Sequence, residues 1–193
     1  MRLKIVESGH RFRQKAMLAL FPLLSGARPP DFSRILMYRP ELFGKPFGKY
    51  AQSVLRSQSK YWSIGERELF GGYISAKNDC DYCRDLHCRM AARALGRSDV
   101  DDLISRAFTL RPEVTAVFDF LDRLEQDPSS LTPADLEQMR ALGLKDEAIL
   151  EATHAAAVLS VANRVVNALG ARVATPAQRE RISSLLLKRG YDL

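Results

Sequence analysis

Residues 66–87 read ERELFGGYISAKNDCDYCRDLH, and the fold and the chemistry of the chain both turn on this stretch. Cys80 and Cys83 stand three residues apart, Cys88 follows just outside, and no other cysteine occurs in the 193 residues. His87, one of three histidines, stands among them, and Glu68 precedes Cys80 by twelve positions. Ser63 and Glu66 form a capping box before the apolar run, and Asp79 offers a cap for a second helix through CDYCRDLHCRMAARAL. Gly96 would end that helix. Two helices packed antiparallel around the turn at Lys77–Asp79 would let Glu68 reach back towards His87. Gly71 and Gly72, on nearly the same side as Glu68, would let the two backbones approach closely.

Helix signals recur along the rest of the chain, and strand signals hardly occur. Ser98 and Asp101 open SDVDDLISRAF (98–108), and Pro112 suits a first turn at PEVTAVFDFLDRLEQ. Thr132, Pro133 and Gly143 bracket another helix. A long one runs from Asp146 to Gly170, and Thr175-Pro176 opens a last one that Gly190 ends. Residues 26–50, rich in proline and glycine, are expected to form short helices separated by turns. No stretch sustains the two-residue alternation of a half-buried strand. The expected fold is all-α, with about seven to nine helices in one domain spanning 1–193. QDPSSLTP (126–133) is the best linker candidate but too short to demand two domains.

Composition narrows the function classes. With 46% hydrophobic and 27% charged residues, the chain has the make-up of an ordinary globular protein and can bury a sizeable core. The net charge of +6 raises nucleic acid as a partner. Arg2, Lys4, Arg11, Arg13 and Lys15 supply much of the excess, but no aromatic-interleaved basic patch accompanies them. A solvated basic face is expected, with no nucleic-acid partner. AMLALFPLL (16–24) imitates a signal-peptide core, yet it starts late, contains Pro22 and follows Glu7, so an ordinary packing helix is expected. No run approaches the ~20 apolar residues that span a bilayer, and no membrane partner is expected. Three cysteines cannot build a secreted-type disulfide framework, which points to a reducing, cytoplasmic setting.

Four chemistries compete for the cysteine cluster. Covalent haem needs histidine directly after the second cysteine, and Arg84 stands there. Zinc could take Cys80, Cys83, His87 and Cys88. On one continuous helix, however, Cys88 points about 140° from Cys83 at roughly 100° per residue, and structural zinc sites usually draw ligands from separate segments. Inert buried cysteines are a third reading, which leaves Asp81, Arg84 and Asp85 around them unexplained. A redox pair fits the spacing best. Thiols at i and i+3 share a face at the start of a helix, where unpaired N–H groups and the dipole favour a thiolate. His87 lies one turn beyond Cys83 on that face and could move a thiol proton. Zinc and inert packing stay open as alternatives, and so does an exposed, ion-paired Glu68.

The pattern Glu68–x11–Cys80–x2–Cys83–x3–His87 resembles the AhpD-like alkylhydroperoxidase family within the carboxymuconolactone decarboxylase superfamily, whose motif reads E-x11-C-x2-C-x3-H. The specific match covers residues 63–97. A weaker likeness to the peroxidase-related branch runs through the helices of 131–170. The resemblance implies an AhpD-like helical domain, a hydroperoxide substrate, an external dithiol or protein reductant, and no cofactor or metal. It implies that Cys83 attacks the peroxide, that Cys80 resolves it, and that Glu68 and His87 relay the proton. It also implies a homo-oligomer, trimeric or hexameric. Some members carry a second histidine between the cysteines, where this chain has Tyr82. The lyase branch of the superfamily lacks the redox pair, which argues against decarboxylation. A disulfide oxidoreductase using the same cysteines and a zinc-holding or redox-sensing module are the alternatives.

Other residues carry weaker expectations. Thr153, Ser160, Asn163, Arg164 and Asn167 form a polar stripe suited either to a site pocket or to a subunit interface. His154 shares a face with Leu150, Val158, Val161 and Val165, as a satisfied core histidine would. His10 is expected to be exposed. Trp62 is expected to act as a hydrophobic staple or core anchor.

Overall fold

The computed structural model describes residues 1–25, 28–97, 104, 105 and 111–191. Among them run ten α-helices and no strand: α1 (Ile5–Ser8), α2 (Phe12–Ser25), α3 (Asp31–Tyr38), α4 (Lys45–Arg56), α5 (Ile64–Lys77), α6 (Asp81–Ala94), α7 (Pro112–Gln126), α8 (Pro133–Ala141), α9 (Asp146–Leu169) and α10 (Pro176–Arg189). A π-helical turn, Pro40–Gly44, leads into α4, and a 3-10 turn, Pro128–Ser130, precedes α8. The all-α expectation is met, with more helices than the seven to nine expected. Residues 5–8 add a single turn too short for periodicity to reveal, and the π-helical turn divides 31–56 into two helices. The helix expected over 98–108 lies outside the described residues.

Local capping chemistry sets several of the boundaries. Ser63 accepts from the Glu66 N–H, and the Glu66 carboxylate accepts from the Ser63 N–H at 2.8 Å, the reciprocal box that starts α5. Thr132 with Asp135 and Thr175 with Gln178 repeat it at α8 and α10. Asp79 departs from expectation. It does not cap α6 but sits in the left-handed region at φ 49, and Cys80 becomes the N-cap residue. Reversing the chain between α5 and α6 in three residues requires one left-handed residue, which a short polar side chain tolerates better than most.

The core gathers where α5 is sandwiched between α6 and α9, with α7 and α4 alongside. Leu55, Leu69, Phe70, Ile74, Met90 and Leu121 are shut off from solvent there. Each such side chain contributes roughly 1.5–3 kcal/mol relative to remaining exposed. Trp62 is a core anchor: its Nε1–H donates to the Ala148 carbonyl at 2.8 Å, and its ring meets Phe70 edge-on with centroids 5.0 Å apart. The glycines of α5 are spacers. A Cβ on Gly72 would stand 2.7 Å from Cys88 Sγ, and one on Gly71 would stand 3.1 Å from Leu159 and 3.2 Å from His87 Nδ1. Only hydrogen at both positions permits helices this close on two sides.

Two apolar segments behave differently from their sequence reading. Residues 16–24 do fall in a helix, but α2 is a poor packing helix: Phe12 is 85% and Leu23 80% exposed, with Leu18 buried. A continuous apolar run offers no single stripe, so one neighbour, α3, can cover only part of it. By length and composition α9, at 24 residues, is apolar enough to cross a membrane, contrary to the expectation that no run approached that size. Its Ala148, Ala152, Ala155 and Leu159 are instead buried against the neighbouring helices.

Candidate active site

The hairpin of α5 and α6 brings Glu68, Cys80, Cys83 and His87 together. Glu68 points inward from α5 and is wholly buried. The His87 Nδ1–H donates to its Oε2 at 2.6 Å. On Oε1, the Tyr191 hydroxyl donates at 2.8 Å, and the Arg56 guanidinium makes an ion pair. Burial alone would raise the Glu68 carboxyl; the charge and hydrogen bond of His87, the Arg56 charge and the Tyr191 hydroxyl outweigh it and hold the group below the usual carboxylate range. An ionised carboxylate can only accept, so the proton of this hydrogen bond sits on Nδ1, and Nε2 is the ring nitrogen left to exchange a proton.

Tyr191, from the segment after α10, closes the arrangement. Its ring stacks on His87 with centroids 6.3 Å apart and 15° between planes, and the Arg56 guanidinium lies over the Tyr191 ring at 4.7 Å. Burial and the Glu68 charge push the Tyr191 hydroxyl well above its ordinary range, so it remains a donor.

The cysteines lie at the first turn of α6. A hydrogen bond from the Cys83 thiol lowers the Cys80 thiol; burial and Asp81 oppose this, and the N–H groups of Cys83 and Tyr82 add to the lowering. The net direction for Cys80 is down. The same hydrogen bond, burial and the Cys80 charge drive Cys83 far up. Of the two thiols Cys80 is therefore the more readily ionised, in the N-cap position that the Asp79 turn creates. A cavity of about 90 Å³ opens on Cys83 and His87, walled by Tyr82, Tyr191 and apolar side chains of α3, α4, α9 and α10. Cys80 and Cys88 do not line it. Cys88 is buried, its sulfur turned onto Gly72. Among the described residues no three histidine, cysteine or acidic side chains converge to hold a metal ion.

The remaining sequence candidates serve packing. None of the polar stripe of α9 lines the cavity; Arg164 and Asn167 are exposed, Thr153 and Ser160 half-buried and Asn163 buried. Ser160 and Arg164 meet Glu125, Asn163 meets Ser75, Asn167 donates to the Asn78 carbonyl, and Thr153 bonds back to Ile149. His154 is exposed rather than in the core, with Nδ1 2.7 Å from the Tyr50 hydroxyl. Leu150 and Val161 beside it are exposed too, because α9 turns its alanines inward. His10, expected to be exposed, is buried and bonds the Arg34 carbonyl through Nε2 at 2.9 Å. Sequence reasoning missed Arg56 and Tyr191. They stand 12 and 123 residues from Glu68, with no motif joining them to it.

No family profile and no curated protein matches the sequence. Solved structures match the fold, two among them over most of the chain. An uncharacterized peroxidase-related protein from Silicibacter sp. TM1040 superposes with a TM-score of 0.75 at 18% identity, over 90% of this chain and 92% of that one. An alkylhydroperoxidase AhpD core, an uncharacterized peroxidase-related protein from Ralstonia eutropha JMP134, superposes with a TM-score of 0.72 at 21% identity, over 86% and 88%.

The chain has the AhpD-like fold.

At these identities the likeness is one of architecture. It extends the resemblance first drawn from residues 63–97 to most of the chain. Within this AhpD-like fold the hairpin of α5 and α6 carries every residue of the sequence motif, and α4 and the C-terminal segment add the two that the motif omits.

Proposed function

We propose that this chain is a cofactor-free, cysteine-based reductase of alkyl or simple hydroperoxides. The observation that carries the proposal is the buried Glu68–His87 pair opening onto the same cavity as Cys83, with only Nε2 of the imidazole left to handle a thiol proton. His87 takes the Cys83 proton as the thiolate attacks the distal peroxide oxygen. The O–O bond breaks, sulfur is oxidised to sulfenic acid, and the proton returns to the departing alkoxide to give the alcohol. Cys80 then attacks the Cys83 sulfur, water leaves, and a disulfide joins the two. An external dithiol reduces it by thiol–disulfide exchange and is itself oxidised to a disulfide. A reducing, cytoplasmic setting suits three free thiols. The uncovered apolar side chains of α2, with Phe12 and Leu23 foremost, support a homo-oligomer, which the resemblance makes a trimer or hexamer.

One observation favours a second reading. Cys80, not Cys83, is the thiol held down, so a thiolate there could serve a disulfide oxidoreductase that attacks disulfides of protein or small thiols. Stopped-flow consumption of tert-butyl hydroperoxide with a dithiol donor, with sulfenic acid trapping by mass spectrometry, separates the two. The peroxidase reading expects turnover in the wild type and none in Cys83→Ser. It expects one trapped sulfenic acid, on Cys83, in Cys80→Ser. Disulfide reduction without peroxide consumption, or sulfenic acid on Cys80, transfers the assignment to the second reading.

A further inference from the structure

Arg56 has no place in the sequence motif, yet its side chain is only 6% exposed and its charge meets a carboxylate that water cannot reach. The guanidinium is fixed on every side. It donates to the Leu55 carbonyl at 2.9 Å, to the Leu186 carbonyl at 3.3 Å and towards Met90 Sδ at 3.7 Å, and it lies over the Tyr191 ring. Other charged and titratable groups around Glu68 do not replace it. Arg67, on the same helix, is acted on more strongly by Glu151 of α9 than by Glu68, and its two terminal nitrogens donate to the Val54 and Ser57 carbonyls. From α6 come His87 and, one turn before it, Cys83; from α9 comes the apolar Leu159, with Glu151 acting on Arg67; from the C-terminal segment comes the neutral hydroxyl of Tyr191.

The charge balance gives Arg56 its meaning. With the imidazole neutral, Arg56, Glu68 and His87 sum to zero. Without Arg56 the same buried group would carry one uncompensated negative charge, and a buried anion relieves itself by taking up a proton. On Nε2 that proton abolishes the base. On Glu68 it removes the acceptor that orients the ring. An arginine keeps its charge at any working pH, so the balance is permanent.

We propose that Arg56 is a positioning residue whose buried charge balances Glu68 and so keeps Nε2 of His87 free to accept a proton. The proposal rests on reading Glu68 and His87 as a proton relay. The test compares Arg56→Met, Arg56→Lys and the double variant Arg56→Met/Glu68→Gln with the wild type. Cys83 oxidation by tert-butyl hydroperoxide is followed against pH, and the His87 ring protons are followed by NMR in the reduced protein without peroxide. Arg56→Met should oxidise roughly tenfold or more slowly at about pH 7 and recover by about pH 9, since each unit of displaced titration is a factor of ten. Its imidazole should stay doubly protonated to higher pH than in the wild type. Arg56→Lys should follow the wild-type profile. The double variant, again without net buried charge, should regain the wild-type pH dependence at a lower plateau.

A rate lowered equally at every pH, or a ring that titrates as in the wild type, would show a merely structural arginine and overturn the proposal. If Arg56→Met fails to fold, folding of the double variant supports the charge balance, and its failure overturns it. A wild type that consumes no peroxide defeats the peroxidase reading instead, and the ring protonation still decides the role of Arg56.

Discussion

Replacing Gly72 with alanine tests the close contact on which the site geometry depends. The new methyl would stand 2.7 Å from Cys88 Sγ and 3.4 Å from the Cys88 backbone nitrogen. Non-bonded atoms of this size settle at about 3.5–4.0 Å, so roughly 1 Å has to be found between α5 and α6. The nitrogen belongs to a helix and cannot move alone, and the sulfur is enclosed. Overpacking of this kind costs about 1–3 kcal/mol. Alanine's better helix propensity returns about 1 kcal/mol. The difference is a net loss of about 0–2 kcal/mol, with a fall in Tm of roughly 2–4 °C for each kcal/mol lost in a chain of this size. Cys88→Ala alone should cost on the order of 1 kcal/mol through the space it leaves. In the double variant the methyl occupies that space, so the pair should be about 1–2 kcal/mol more stable than the sum of the single losses. Urea unfolding of all three variants with unchanged m values measures this directly. Single effects that add within about 0.5 kcal/mol would refute the contact.

Further outcomes follow from the site and the surface. Glu68→Gln should cost roughly 3–5 kcal/mol at neutral pH, because it leaves the Arg56 charge buried without a partner. The Glu68 carboxyl is held below its ordinary range in the folded chain, so its contribution is complete above the unfolded value of about 4.3 and is lost as pH falls through the folded one. Urea unfolding at falling pH should therefore show the gap between wild type and Glu68→Gln closing in acid; a gap that widens contradicts the assignment. Mild oxidation should join Cys80 to Cys83 and leave Cys88 alkylatable after denaturation, and peptide mapping that finds Cys88 in the main intramolecular bridge would contradict this. Sedimentation at micromolar concentration should show a species larger than the 21.7 kDa chain, smaller again when Phe12 and Leu23 are both replaced by serine. A lone monomer in the wild type would dispose of the oligomer.

Much of the fold was legible because helix ends are written in neighbouring residues. Ser63 with Glu66, Thr175 before Pro176, and Gly170 at φ 63 satisfy or release backbone groups within a few positions, and the structure uses each as read. The motif was legible for a similar reason. Two helices joined by three residues have almost no choice but to pack together, so the spacing of Glu68 and His87 along the chain implies their distance in space. The Asp79 reading failed over a tertiary demand: the hairpin needed a left-handed residue more than α6 needed a carboxylate cap, and the cap position passed to Cys80.

Burial was the harder quantity. A histidine beside leucine and valine looks internal in a sequence, yet His154 faces outward because the alanines on the opposite side let α9 approach α5 and α7 more closely. His10 looked external among basic residues and is enclosed. What the sequence determined by itself was the all-helical class, most helix ends and the hairpin that joins Glu68, Cys80, Cys83 and His87, all set by bonds between residues close in the chain. Tertiary structure alone decided that Arg56 and Tyr191 meet on the carboxylate. Charge, solvent exclusion and stacking act through space, and the groups that supply them come from α4 and from the C-terminal end, which only the packing of the whole chain brings to one point.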